Sequence, residues 1–260
     1  SVGYTDVVTL LPNRQRLLKD IEVSAVSAFR LVIIDCIDMP FAYEMARSLG
    51  MIAVENLLRD MTAQLQARLP LAGQLYAVAV GRFAFLTPEP TALSLENIAQ
   101  NLQGTQARIG PEVPLDLDIH MGDSGLCDST LTPNEILRRA VSALHEAISQ
   151  GLRFTTYNDA LDTRKKRDFS LLTELRQTLQ GNQGLYLVYQ PKISLATGRV
   201  TGAEALVRWK HPTNGEVLPG EFIPLVEKTS LMRELTAWVI DRTIAQLSEW
   251  RDQGLTLPVS

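Results

Sequence analysis

Between Tyr189 and Glu227 the chain reads Tyr189-Gln190-Pro191, Glu204-Ala205-Leu206-Val207-Arg208-Trp209, His211-Pro212 and Gly220-Glu221-Phe222-Ile223-Pro224-Leu225-Val226-Glu227, in that order. Leu185 to Gln190 is a short apolar run that predicts a buried strand, and Val200 to Trp209 predicts a second. Side chains alternate along a strand, so Glu204, Leu206 and Arg208 lean to the same side of it. Two readings of that face are open: a buried Glu204–Arg208 ion pair, or a functional site. His211 before Pro212 reads as a turn residue, and Trp209, Trp238 and Trp250 read as core. Farther on, Leu231 to Trp250 predicts a long amphipathic helix and Leu255 to Ser260 the start of another strand. A strand, strand, helix, strand order with no return does not close a barrel.

Upstream, Asp162-Thr163-Arg164-Lys165-Lys166-Arg167 is almost free of hydrophobic residues and interrupts the pattern on either side. We place the domain boundary there. Its four adjacent cations read as the solvated first part of a connecting helix, with a phosphate patch as the alternative. The expected layout is a first domain over 1–160, a linker helix over 161–182 and a second domain over 183–260. In the first part, β-like runs alternate with amphipathic helices, which predicts an α/β (α+β) class. Leu115 to Met121 alternates apolar and polar residues and reads as one half-buried strand. Thr132-Pro133-x-Glu135 opens a helix that Gly151 ends, and another helix is expected from about Tyr43 to Arg68. Gln74 to Val80 and Phe83 to Thr87 flank Gly81-Arg82 as a tight hairpin.

With 25 Lys+Arg against 29 Asp+Glu, the net charge of -4 supplies no field for a nucleic-acid polymer, which is not an expected partner. Cys36 and Cys127 have neither disulfide-framework nor zinc-site spacing, which fits a reducing cytoplasm. No apolar run approaches the ~20 residues of a membrane helix, so any membrane anchor is expected in a longer parent protein.

The series in the second part is very similar to the Y-Q-P, E-A-L-x-R-W, H-P and E-F-I-P-x-A-E succession of EAL domains. This resemblance implies the N-terminal part of an EAL-type TIM-like barrel and a metal-dependent cyclic-di-GMP phosphodiesterase. It implies that Glu204 is a catalytic metal ligand, that Arg208 grips a phosphate of cyclic di-GMP, that Gln190 and Glu221 contact the dinucleotide, and that Leu206 shapes the pocket. Glu227 is a second candidate for the metal, Mg²⁺ or Mn²⁺, or is a solvated helix residue. Ser230 stands where the family has glycine. The family's further metal ligands follow the point corresponding to Ser260, so these residues alone are expected to be inactive, the phosphodiesterase activity belonging to a longer parent.

Asp6-x-x-Thr9-Leu10-Leu11-Pro12-Asn13-Arg14 resembles the opening of GGDEF domains, which implies a central sheet flanked by helices over roughly the first 160 residues. The signature hairpin reads Gly81-Arg82-Phe83-Ala84-Phe85, so only its first and last residues agree. Joining two GTP molecules needs carboxylates that hold Mg²⁺, and Phe83 and Ala84 carry none. The resemblance therefore implies a degenerate domain that is not a diguanylate cyclase. Asp35 and Asp38 remain and Glu55 falls near the family's second base-contacting acid, which leaves residual GTP or metal binding open, with surface acids as the alternative. Leu71 to Leu75 lacks the inhibitory R-x-x-D motif. The expected function is cyclic-di-GMP signalling, with a regulatory GGDEF domain joined to a phosphodiesterase domain. The alternatives are a non-catalytic cyclic-di-GMP receptor acting through a protein partner and, for the first domain, a GTP-sensing or homodimerising module.

Overall fold

In a computed structural model of the chain, residues 2–24, 28–69, 74–88, 94–110, 113–181 and 183–260 are described. Most of the segment expected to lack the inhibitory motif, and Asn182 at the expected end of the linker helix, lie outside them. The chain divides into two compact units, Ser1–Asp159 and Ala160–Ser260.

Unit 1 runs α1 (Arg14–Ser24), β1 (Phe29–Asp35), α2 (Met39–Leu49), α3 (Met51–Arg68), β2 (Leu75–Ala79), β3 (Arg82–Pro88), α4 (Leu95–Leu102), β4 (Gln106–Gly110), β5 (Val113–Asp116), β6 (His120–Asp123), α5 (Pro133–Gln150) and β7 (Phe154–Thr156). Its main sheet has the order β2-β3-β1-β6-β7, and β4 and β5 form a separate ribbon. Strand β1 is buried on both faces: Val32 and Ile34 pack with Leu57, Met61 and Leu65 of α3. Leu31 and Ile33 pack with Leu17 and Ile21 of α1 and with Ile136 and Leu144 of α5. Helix α5 has the expected caps: Thr132 Oγ accepts from the Glu135 N–H, and Gly151 closes it in the left-handed conformation.

Two expectations for unit 1 are corrected. The single helix from Tyr43 to Arg68 is two helices, because Gly50 at φ +87 breaks the chain between α2 and α3. The single strand from Leu115 to Met121 is also two. Strand β5 pairs with β4 and β6 with β1, while the Leu117 N–H between them bonds to Thr105 O at 3.0 Å. A period of two continues across the gap, but the two halves serve different sheets.

Unit 2 contains most of α6 (Asp159–Gly181), then β8 (Leu185–Ile193), β9 (Val200–His211), β10 (Gly215–Val217), α7 (Pro219–Val226) and α8 (Leu231–Asp252). The antiparallel sheet β10-β9-β8 is covered on one face by a core of Leu171, Leu175, Trp209, Phe222, Val226, Leu231 and Leu235. Strand β8 departs from the buried strand expected: Leu185, Leu187, Val188 and Tyr189 are half-buried and Tyr186 and Gln190 exposed, because the cover is one-sided. Of the three tryptophans expected in the core, Trp209 is fully buried, whereas Trp238 and Trp250 are half-buried. The end of the chain lies parallel to β9, with Ala203 N–H donating to Pro258 O and Ser260 N–H to Ala203 O, both at 3.0 Å. Gly202 permits that approach, since a Cβ there would lie 2.9 Å from Pro258 O. The described strands do not close a barrel.

Candidate functional site

Strand β9 places Glu204, Leu206 and Arg208 on one face by alternation, and the register with β8 sets Gln190 opposite Glu204, Val188 opposite Leu206 and Tyr186 opposite Arg208. Four residues named from the sequence thus meet on one surface. It is the face away from the helices, since Val207 and Trp209 of the opposite face pack in the helix-side core. Glu204 is exposed and forms no ion pair among the described residues, and the Arg208 Nη1 donates to the neighbouring Val207 carbonyl at 2.9 Å. A buried Glu204–Arg208 pair is therefore not what the strand makes.

Tyr186 belongs to the same surface and was not anticipated. Counting back by twos from Gln190 through Val188 finds it. Its hydroxyl donates to Glu216 Oε1 at 2.9 Å, and this bond to a carboxylate raises the phenol above its ordinary range. Lys192 on the same face donates to Ser260 Oγ at 2.7 Å. Cations, an aromatic ring, one amide and a carboxylate unpaired among the described residues, on one half-apolar surface, are suited to a phosphate-bearing, base-bearing ligand.

Glu221 lies elsewhere. It is the third residue of α7, where Oε1 accepts from the Leu218 N–H at 3.3 Å and Oε2 receives Arg167 Nη2 at 2.6 Å. Glu227 caps the other end of α7 and is exposed. No three acidic, His or Cys side chains converge as a metal site among the described residues. Glu204 fits a single carboxylate ligand, short of the six or so oxygens that Mg²⁺ takes. His211 is buried, and its Nδ1 accepts from the Thr213 and Asn214 N–H groups at 3.2 and 3.1 Å. That acceptance fixes the tautomer with the proton on Nε2, which faces Glu174. His211 is thus the turn residue its neighbour Pro212 suggests.

In unit 1, Gly81 at φ +66 makes the turn between β2 and β3. Phe83 and Ala84 are buried on opposite faces of the sheet, one in each core. Of the retained acids, Asp35 is paired with Arg82 at 2.7 Å and Glu55 with Arg59 at 3.1 Å, while Asp38 caps α2 by accepting from the Phe41 N–H at 2.7 Å. Next to the hairpin is an open cavity of about 530 Å³ lined by Val8, Thr9, Asn13, Arg14, Leu58 and Phe83, and neither Asp35 nor Glu55 lines it.

Residues 172–260 match the EAL domain family, and the likenesses that follow make the chain consistent with a GGDEF–EAL tandem protein. The chain is 36% identical over 264 residues to a cyclic di-GMP phosphodiesterase of Pseudomonas aeruginosa, covering 99% of this chain and 44% of that protein. It therefore spans less than half the length of that relative. Among solved structures, the S helix–GGDEF–EAL portion of Vibrio cholerae LapD bound to c-di-GMP matches with a TM-score of 0.50 at 17% identity, over 99% of this chain and 60% of that one. A diguanylate cyclase/phosphodiesterase from Caldicellulosiruptor saccharolyticus matches with a TM-score of 0.50 at 14% identity, over 60% of this chain and 93% of that one. These two likenesses concern the fold. No helix among the described residues is long and apolar enough to cross a membrane.

Proposed function

We propose that the chain serves cyclic-di-GMP signalling, with the exposed face of β8 and β9 forming part of a cyclic-di-GMP site and unit 1 acting as a non-catalytic regulatory domain. The observation that carries the reading is the convergence of Gln190, Glu204, Leu206 and Arg208 on one face, with the carboxylate of Glu204 unpaired among the described residues. Arg208 offers a guanidinium to a phosphate, Leu206 and Tyr186 offer apolar surface to a guanine, and Gln190 offers an amide to a base edge. Glu204 supplies one carboxylate toward a divalent metal. Mg²⁺ or Mn²⁺, when bound with further ligands, would polarise the scissile phosphodiester. The similarity to a protein named as a cyclic di-GMP phosphodiesterase favours hydrolysis by the longer protein over a binding-only role.

For unit 1, the pairing of Asp35 with Arg82 and Glu55 with Arg59 supports loss of cyclase chemistry. Calorimetric titration of cyclic di-GMP into the full-length protein and its Arg208→Ala variant tests the site. The expected result is a loss of at least about 1.5 kcal/mol, the size of a charge-assisted bond to phosphate. Equal affinities would refute the assignment.

A further inference from the structure

Helix α6 carries Arg167, Leu171, Glu174 and Leu175 at spacings that put all four on one face. Leu171 and Leu175 are buried in the core with Trp209 and Phe222. The two charged members of the stripe each hold a polar partner. Arg167 bonds to Glu221 at 2.6 Å, and Glu174, whose other oxygen accepts from Ser170 Oγ at 2.6 Å, faces Nε2 of His211.

Both bridges lead to the strand that carries Arg208. Glu221 caps α7, the next residue Phe222 packs edge-on against Trp209 with ring centroids 5.6 Å apart, and Trp209 adjoins Arg208 in β9. His211 lies two residues beyond Trp209 on the same strand, where its Nδ1 organises the turn into β10. From the helix side, then, α6 bonds to α7 through Glu221 and faces the end of β9 at His211.

We propose that Arg167 is a positioning residue for the cyclic-di-GMP site: through Glu221 and α7 it sets the pose of Arg208 without contacting the ligand. This rests on the reading of the β8–β9 face given above. Glu221, with both carboxylate oxygens engaged inside the protein, is a cap and clasp instead of a ligand contact. The Arg167 and Glu221 side chains are 57% and 37% exposed. Their coupling is therefore limited to that of a surface pair and is screened by salt.

The test is cyclic-di-GMP titration of the full-length protein and its Arg167→Ala, Arg167→Ala/Glu221→Gln and Arg208→Ala variants at low and high salt, with melting temperatures recorded. Arg167→Ala is expected to weaken binding about three-fold near 50 mM salt and to approach wild type near 500 mM, melting within about 2 °C of it. Arg167→Ala/Glu221→Gln, which keeps an acceptor for the Leu218 N–H, is expected to bind no worse than Arg167→Ala, whereas a direct Glu221–ligand contact would make the two losses add. Wild-type affinity for Arg167→Ala at low salt overturns the proposal, as does an additive further loss in Arg167→Ala/Glu221→Gln. Equal binding by wild type and Arg208→Ala instead overturns the site reading itself, so the two failures are distinguishable.

Discussion

Asp35 and Arg82 face each other across β1 and β3, and Arg82 Nε lies 2.7 Å from Asp35 Oδ1. Asp35 is 7% exposed, so its carboxylate depends on that guanidinium for compensation. The arginine that stands in the signature turn is thus the counter-ion of an acid that the chain retains. Arg82→Ala should cost about 1–3 kcal/mol in urea unfolding of unit 1, and Arg82→Ala/Asp35→Asn should cost less than the single change. An additive double mutant would show that the pair is not coupled.

Restoring acids to the signature should fail. Phe83 and Ala84 are 1% and 0% exposed, so Phe83→Asp/Ala84→Glu places two carboxylates in the cores. The expected loss is about 4 kcal/mol or more, with no cyclic di-GMP formed from GTP and Mg²⁺. Product formation at an enzyme's turnover by this variant or by wild type would contradict the degenerate reading of unit 1.

Gly122 is where β6 meets α5. A Cβ there would lie 2.2 Å from Leu144 N and 2.3 Å from Ala140 O, and both are backbone atoms of a helix that cannot yield locally. Gly122→Ala should destabilise unit 1 by about 3 kcal/mol or prevent its folding, seen as a lowered denaturation midpoint or as insoluble protein. A variant as stable as wild type would mean that α5 can move off the sheet.

Glu135 governs part of the acid response. The Arg138 side chain, with help from Arg139, holds its carboxyl down at about 2, against an ordinary value of 4.5. A folded-state pKa below the unfolded one contributes stability that is present above about 4.5 and is lost as the pH falls toward about 2. Glu135→Gln should therefore flatten the stability profile between those values, while costing no more than about 1 kcal/mol near neutrality because the group is partly exposed. An unchanged acid limb in pH-dependent unfolding would remove Glu135 from the account.

Much of the fold was legible because the signals are local. The Thr132 cap and Gly151 stop bracket α5 as written, and the Gly81 hairpin forms where a tight turn lies between two apolar runs. The misreadings came from position-specific backbone events. Gly50 divides one helical pattern into α2 and α3, and a bond to Thr105 separates β5 from β6 within one alternating run. The candidate site was legible along β9, where period two alone aligns Glu204, Leu206 and Arg208. Tyr186 needed the cross-strand register with β8.

Periodicity and turn chemistry act within a few residues, so the order of elements, the motifs and the face of each strand residue follow from the local sequence. Tertiary structure alone decided where the charges go. Arg82 finds Asp35 across 47 residues of chain and Arg167 finds Glu221 across 54. Those partners are chosen by strand pairing and by the seating of α6 against α7, long-range contacts that no local propensity encodes. By that route a charged run that reads as solvated supplies a clasp for α7, and a substituted signature residue becomes the counter-ion of the acid beside it.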